Sequence, residues 1–197
     1  WADERVPLFR EALQELRIAR AKCDDVHIFA ELKGPEGAPF DGSLPDARVP
    51  AAAEAAVSKE HISPADLTWI SFNRPLLVEM KRRMPEHPAL LISHAKDEDA
   101  AFEVARECVR LGLDGIDLPL GTGVTRKLAS YLREEGKQLA VWVNRAPAAN
   151  DCEASWDLML AAGVQTITTN LPIRFMDWHK ARSLQPSDVV CGSERVN

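Results

Sequence analysis

A carboxylate and an ammonium group stand two residues apart at the end of the first predicted strand. Residues 26–32 are mostly apolar, and Glu31 near their end is followed by Lys33. Because side chains alternate along a strand, Glu31 and Lys33 share one face, with Phe29 and His27 deeper on that face. Such a pair could hold a divalent cation and a phosphate oxygen together. A plain surface ion pair is the other interpretation.

At two further strand ends, polar or aromatic residues stand two positions apart. Ser71 and Asn73 share a face at the end of the second predicted strand, and Trp142 and Asn144 do so at the end of the fifth. These side chains could hydrogen-bond a ligand or stack on its apolar part. Ser and Asn are also frequent in turns, and a core Trp needs no ligand, so structural roles remain open for all four.

Histidine is the side chain best suited to proton transfer near neutral pH. His94 follows the third predicted strand directly, a rim position that makes it the best candidate among the histidines. His61, His87 and His179 fall in predicted helices or loops, where we expect them to be solvated. His27 lies in the first predicted strand, where we expect a hydrogen-bonded interior residue.

Apolar strands alternate with helical patterns along the whole chain. The predicted strands are 26–32, 67–72, 89–93, 115–118, 138–143 and 164–168. The predicted helices are 7–21 with Pro7 in the first helical position, 47–60, 75–83, 97–111, 123–135, 153–162 and a last one from Pro172 to about Leu184. Six strands separated by helices predict parallel, right-handed βα units in one α/β domain, 1–184, followed by a polar tail, 185–197.

Two architectures fit this pattern of elements, an open doubly wound sheet and part of a closed barrel. No G-x-G-x-x-G motif follows the first strand, so the pattern gives a dinucleotide fold no further support. Enzymes with the barrel fold place their chemistry at the carboxyl ends of the strands, which is where Glu31, Lys33 and Trp142 stand.

Composition excludes several classes of function. The net charge is −6 and the basic residues are scattered, which argues against nucleic-acid binding. The four cysteines are far apart, without a C-x-x-C pair, which favours reduced thiols in a cytoplasmic or organellar compartment over a zinc site or a disulfide framework. No apolar run approaches the roughly 20 residues that a transmembrane helix needs.

Five segments carry motifs in a specific order. Arg5–Leu13 resembles R-I-P-T-L-E-E-A-L, Phe29–Lys33 resembles I-E-L-K, Ile70–Asn73 resembles S-F-N, Gly136–Asn144 resembles G-x-x-V-x-V-W-T-V-N, and Gly163–Pro172 resembles G-V-D-G-I-I-T-D-x-P. In this order, across most of residues 5–172, the segments resemble the glycerophosphodiester phosphodiesterase family. The order is more specific than any single motif.

The resemblance implies a TIM (βα)₈-type barrel of which six βα units are present and the N-terminal two are missing. It implies metal-dependent hydrolysis of glycerophosphodiesters to glycerol 3-phosphate and an alcohol, with Mg²⁺ or Ca²⁺ as the cofactor. By resemblance, Glu31 is a metal ligand, Lys33 faces the phosphate, and Trp142 lines the substrate pocket. A small phosphodiester or a lysophospholipid would be the substrate.

The sequence departs from the family pattern at its start and at two later positions. The family's H-R-G, E-N-T, E-x-D and H-D motifs belong before the first matched segment, and only four residues precede that segment here. We therefore expect the catalytic histidines and most metal ligands to be missing and this chain alone to be inactive, since one carboxylate does not hold Mg²⁺ firmly. Asn170 stands where the family has Asp, and Val143 where it has Thr.

Three interpretations follow from the sequence. The chain could belong to a complete phosphodiesterase whose first two units lie upstream. It could be a catalytically degenerate family member that acts as a structural or interaction subunit. Six strands do not close an eight-stranded barrel, so partner chains would then cover the open edges. It could also be an unrelated α/β binding domain.

Overall fold

The computed structural model describes residues 7–23, 26–34, 47–95, 97–121, 123–143 and 151–183. Helices and strands alternate through these ranges, close to the predicted positions. In chain order they are α1 (Phe9–Arg20), β1 (Ile28–Glu31), α2 (Arg48–Glu60), β2 (Leu67–Ser71), α3 (Arg74–Arg83), β3 (Ala89–Ile92), α4 (Glu98–Arg110), β4 (Gly115–Pro119), α5 (Arg126–Glu134), β5 (Gln138–Trp142), α6 (Glu153–Ala162), β6 (Thr166–Thr168) and α7 (Pro172–Ser183). The predicted tail 185–197 lies outside the described residues.

The six strands form one parallel sheet in the order β1-β2-β3-β4-β5-β6. A doubly wound sheet reverses its strand order at a switch point, and this sheet does not. Sequential parallel strands, each followed by a helix, are the arrangement of a (βα)₈ barrel, and here the sheet curls into part of one. The predicted incomplete barrel is therefore confirmed, and the doubly wound alternative is wrong.

The outer face of the sheet packs against the helices. Alternate strand residues on this face are almost fully buried and join one hydrophobic core, among them Leu67, Trp69, Leu91, Ile116, Leu118, Leu139 and Val141. Trp69 is fully buried, and its ring lies 6.0 Å from that of Phe9 in α1. The strand residues that alternate with these outer-face residues point to the inner face of the sheet. The alternation of residues along each strand therefore assigns every second side chain to the helix-covered face and the others to the interior.

Local hydrogen bonds determine where the helices begin and end. The Glu11 side chain accepts a hydrogen bond from the backbone N–H of Leu8 at 2.8 Å. This bond makes Leu8 the N-cap residue, so α1 begins at Phe9. The placement of Pro7 in the first helical position was therefore wrong, because Pro7 precedes the N-cap residue. At the end of α6, Gly163 has a φ of 95°, a left-handed conformation that a residue without a Cβ adopts easily.

The first and last strands each have a free edge in the described part of the chain. β1 pairs with β2 alone, and β6 pairs with β5 alone. An open groove of about 590 Å³ runs along β1, lined by Phe9 of α1, Phe29 and Glu31 of β1 and Val49 of α2, among others. Further strands could pair at these edges, because an unpaired strand edge presents free N–H and C=O groups.

Seven helices and three of the four cysteines lie in the described part of the chain. None of those helices combines the length and the apolar character that crossing a bilayer requires. Cys23, Cys108 and Cys152 are free thiols, and burial raises the pKa of the Cys108 thiol to about 11. Cys191 lies outside the described residues.

The Asp151 carboxylate accepts hydrogen bonds from the segment that follows β6. This buried carboxylate accepts hydrogen bonds from Trp156 Nε1 at 2.9 Å, Thr169 Oγ1 at 2.7 Å and the backbone N–H of Asn170 at 2.7 Å. Burial by itself would raise the pKa of this carboxyl, but the hydrogen bonds from Thr169, Asn170 and Trp156 outweigh it and lower the pKa. The charged form of Asp151 therefore joins α6 to the end of β6.

We expect Asp151→Ala to lower the free energy of unfolding by about 3 kcal/mol, because three donors lose their acceptor. Asp151→Asn should cost less, since one acceptor oxygen remains. A carboxyl whose pKa is lowered on folding stabilises the fold above its unfolded pKa, and this stability is lost as the pH falls through the folded pKa. Urea unfolding of both variants at pH 7 and pH 3 tests this, and equal losses for Ala and Asn would contradict it.

Candidate functional site

The inner face of the sheet brings together residues from strands that are distant in the sequence. Glu31 pairs with Ile70, Asp117 pairs with Ala140, and Trp142 pairs with Pro119. Residues paired in register in a parallel sheet point to the same side, and side chains alternate along each strand. Glu31, Asp117 and Trp142 therefore all point into the concave interior near the carboxyl ends of β1, β4 and β5.

Glu31 and Lys33 form the ion pair that their spacing predicts. Lys33 Nζ donates a hydrogen bond to Glu31 Oε1 at 2.6 Å, and the Lys33 side chain is 80% exposed. An ion pair this exposed contributes little to stability. The exposed ammonium group is therefore accessible to an anion at the rim of the barrel.

Three aromatic rings meet at the same rim. His94, which follows β3, stacks on Phe72 with 4.8 Å between ring centroids and meets the Trp142 ring edge-on at 5.5 Å. His94 follows β3 and Trp142 ends β5, and these two strands lie on either side of β4. The Trp142 indole therefore extends across the end of β4 towards His94. We call Phe72, His94 and Trp142 the rim aromatic cluster. It forms a partly exposed apolar wall at the open end of the interior.

Asp117, in the middle of β4, lies deeper in the interior than this cluster. Its side chain is almost fully buried, and its Oδ1 has no hydrogen-bond partner among the described residues. Burying a polar atom without a hydrogen bond is unfavourable, so such atoms are rare and often functional. The sequence motifs do not include Asp117. The available signal was an acid at an alternate position within an otherwise apolar strand.

Two effects raise the pKa of the Asp117 carboxyl to about 7: first its burial, and then the negative charge of Glu31. Both disfavour the ionised form, because the interior solvates a charge poorly and a like charge repels it. Both carboxyls point to the inner face of the curled sheet, so the charge of Glu31 acts on Asp117. Strongly raised carboxyl pKa values are common at functional sites.

Ser71 and Asn73 do not belong to this interior. Both are buried, and Ser71 lies on the face that packs against the helices. Ser71 Oγ donates to the backbone carbonyl of Leu32 at 2.5 Å, and Asn73 Oδ1 accepts from the backbone N–H of Leu76 at 3.0 Å to cap α3. The ligand-binding interpretation of these two residues is therefore wrong, because the register turns Ser71 outward. Asn144 lies outside the described residues.

The histidines divide into several environments. His94 is exposed at the rim, as predicted. His87 is buried and its Nε2 has no partner in the described part of the chain, so its prediction as a solvated residue was wrong; burial lowers its pKa. His27 precedes β1 and is exposed, with hydrogen bonds to the Ala65 carbonyl at 2.8 Å and Thr68 Oγ1 at 2.9 Å. It is hydrogen-bonded as expected, but it does not lie in the interior.

The oxygen donors at this rim suit a hard divalent cation only in part. Glu31 offers a carboxylate, the ligand type that Mg²⁺ and Ca²⁺ prefer. Among the described residues, no three His, Cys, Asp or Glu side chains are grouped so that they could hold a metal ion. Glu31 therefore fits as one ligand of such an ion, and a complete ligand set would need groups from outside the described residues.

Solved structures show which fold this is. The chain superposes with a TM-score of 0.68 and 16% identity on a protein from Galdieria sulphuraria described as a glycerophosphodiester phosphodiesterase, covering 86% of this chain and 63% of that one. A protein from Silicibacter pomeroyi described as a glycerophosphoryl diester phosphodiesterase gives a TM-score of 0.67 and 19% identity, covering 92% of this chain and 58% of that one. An aldolase gives a TM-score of 0.52 and 13% identity, covering 86% of this chain and 81% of that one.

No protein-family model and no curated protein matches the sequence. This chain spans about three fifths of the length of the two phosphodiesterase structures. At such low identity the superpositions define the fold, an incomplete (βα)₈ barrel. This fold is the one that the ordered motifs imply.

Proposed function

We propose that this chain forms the C-terminal six βα units of a glycerophosphodiester phosphodiesterase, which hydrolyses a glycerophosphodiester to glycerol 3-phosphate and an alcohol. The observation that carries the proposal is the Glu31–Lys33 pair at the carboxyl end of β1. In a (βα)₈ barrel this end of the strands is where catalysis takes place. The five ordered motifs and the superposition on phosphodiesterase structures support the same reaction.

The site residues have separate tasks in this reaction. The exposed Lys33 ammonium binds a non-bridging phosphate oxygen and offsets the charge that develops there. Glu31 orients Lys33 through their hydrogen bond and provides a carboxylate ligand for Mg²⁺ or Ca²⁺. When bound, the cation would neutralise phosphate charge. Trp142 covers one side of the substrate as part of the rim aromatic cluster.

Glycerophosphocholine hydrolysis by the full-length protein tests this proposal. We expect release of glycerol 3-phosphate that stops with EDTA and returns with Mg²⁺ or Ca²⁺. Lys33→Met should lower kcat/KM by about 10²-fold, because a positioned positive charge is lost. Lys59→Met is the matched control, since Lys59 is exposed in the last turn of α2, away from the carboxyl ends of the strands. Equal activity of the two variants would show that Lys33 does not bind the phosphate.

The groove along β1 favours a second candidate function, that of a structural or interaction subunit. Its lining includes Phe9, Phe29 and Val49, and Phe29 is 38% exposed. An apolar groove beside an unpaired strand edge suits added βα units, from this protein or from a partner chain. The hydrolysis assay separates the two candidates. A subunit without catalysis would release no glycerol 3-phosphate from glycerophosphocholine.

A further inference from the structure

Ser71, at the end of β2, is hydrogen-bonded to the backbone next to Lys33. Its Oγ donates to the Leu32 carbonyl at 2.5 Å and accepts from the backbone N–H of Asn73 at 2.9 Å. The Ser71 side chain is fully buried, so water does not compete for either bond. The Leu32 N–H donates to the Ile70 carbonyl at 2.9 Å, which continues the ladder one residue past β1. Both backbone polar groups of Leu32 are therefore held by β2.

The Leu32 carbonyl belongs to the peptide bond that joins Leu32 to Lys33. Because a peptide bond is planar, fixing this oxygen also fixes the direction in which the chain enters Lys33. The Lys33 side chain itself is 80% exposed and lies outside the core. The buried Ser71 hydroxyl therefore sets the backbone from which the exposed Lys33 ammonium extends.

A close contact fixes the chain on the other side of Lys33, at Gly34. A Cβ atom on Gly34 would lie 2.8 Å from Leu76 Cδ1 and 2.9 Å from Asn73 Nδ2. The Asn73 side chain is itself held, because its Oδ1 accepts from the Leu76 N–H at 3.0 Å to cap α3. A side chain at position 34 would thus push the backbone away from α3. Lys33 stands between a hydrogen-bonded residue and a closely packed one.

We propose that Ser71 is a positioning residue, which holds Lys33 at the place where the phosphate binds. The inference rests on the proposed function and adds to it a residue that does not touch the substrate. Stabilising a transition state requires a charge at a fixed place, and a misplacement of about 1 Å can cost about 10²-fold in rate. A mobile ammonium still attracts a phosphate, so the loss of positioning affects kcat more than KM.

Ser71→Ala in the full-length protein removes the hydroxyl and leaves Lys33 in place. We expect kcat for glycerophosphocholine to fall about 10-fold, with KM changed less than about 3-fold. Val57→Ala is the control, since Val57 is buried near the C-terminus of α2 and its truncation destabilises the core away from the carboxyl ends of the strands. It should keep the wild-type kcat at a temperature where circular dichroism shows every variant to be folded.

A double variant distinguishes positioning from a role in stability alone. If Ser71 acts through Lys33, its hydroxyl has nothing left to position once Lys33→Met has removed the ammonium. Ser71→Ala combined with Lys33→Met should therefore keep kcat/KM within about 2-fold of Lys33→Met alone. If Ser71 only stabilised the fold, the two losses would multiply, because independent effects on free energy add.

Gly34→Ala displaces the same backbone and keeps the Ser71 hydroxyl, so it carries the test if Ser71→Ala does not fold. It should also lower kcat about 10-fold and add no further loss to Lys33→Met. Hydrogen–deuterium exchange gives a readout besides activity. Exchange in the segment 28–34 should rise in Ser71→Ala and stay at the wild-type level in Val57→Ala.

The outcomes separate the inference from the proposed function. If Ser71→Ala and Gly34→Ala keep the wild-type kcat, or if their losses multiply with that of Lys33→Met, the inference is wrong and the proposed function stands. Unchanged exchange in the segment 28–34 of Ser71→Ala would also contradict the inference. If the wild type releases no glycerol 3-phosphate, both the proposed function and the inference are overturned.

Discussion

Glu31→Gln in the full-length protein should lower kcat/KM for glycerophosphocholine by at least about 10²-fold. Glutamine has the same shape but no charge, so it weakens the hydrogen bond that orients Lys33 and removes a ligand that a hard cation prefers. The concentration of Mg²⁺ or Ca²⁺ required for half-maximal activity should rise at the same time. Steady-state kinetics across a metal titration measure both effects.

A second readout separates metal binding from catalysis in this experiment. Calcium titration by calorimetry should show weaker binding to Glu31→Gln than to the wild type. Glu15→Gln removes one exposed carboxylate without touching the interior and should match the wild type in both assays. Unchanged turnover and unchanged calcium binding in Glu31→Gln would remove Glu31 from the site. That result would favour the structural-subunit alternative.

Asp117→Asn should stabilise the protein, and the gain should depend on pH. Folding raises the pKa of the Asp117 carboxyl from 3.8 to about 7, chiefly through burial and secondly through the charge of Glu31. A carboxyl with a raised folded pKa favours the unfolded state increasingly as the pH rises from the unfolded value to the folded one. Asparagine has a similar shape and does not titrate, so the Asp117→Asn variant does not lose this stability as the pH rises.

The size of the stability gain expected for Asp117→Asn follows from the shift in the pKa of Asp117. A change from 3.8 to about 7 corresponds to roughly 4 kcal/mol of unfolding free energy, as an upper value. The difference between Asp117→Asn and the wild type should therefore grow by up to about 4 kcal/mol between pH 4 and pH 8. Urea unfolding in the presence of EDTA measures it, with Glu15→Gln as the control. A difference that does not vary with pH would contradict the raised pKa.

Together these predictions describe a site in which stability and function are opposed. Asp117, whose buried Oδ1 lacks a hydrogen-bond partner among the described residues, destabilises the fold. Active sites commonly retain such unfavourable groups because the ligand needs them. A stabilised Asp117→Asn variant with a lower kcat/KM for glycerophosphocholine would show this opposition directly.

The sequence by itself determined the type and order of the elements. Alternating apolar strands and amphipathic helices, with glycines such as Gly163 at helix ends, follow from local backbone preferences. The shared face of Glu31 and Lys33 was also predictable, because strand alternation is a local rule. The ordered motifs added the barrel, which the periodicity alone left open between two architectures.

Only the tertiary structure decided which distant residues meet. Asp117 and Glu31 are three strands apart, and the charge of Glu31 acts on Asp117 because both point to the inner face of the curled sheet. The register turned Ser71 outward, and packing buried His87, although both positions looked accessible in the sequence. The physical reason is that periodicity gives the face of a strand, whereas the partners across that face depend on strand pairing and curvature, which involve residues far apart in the chain.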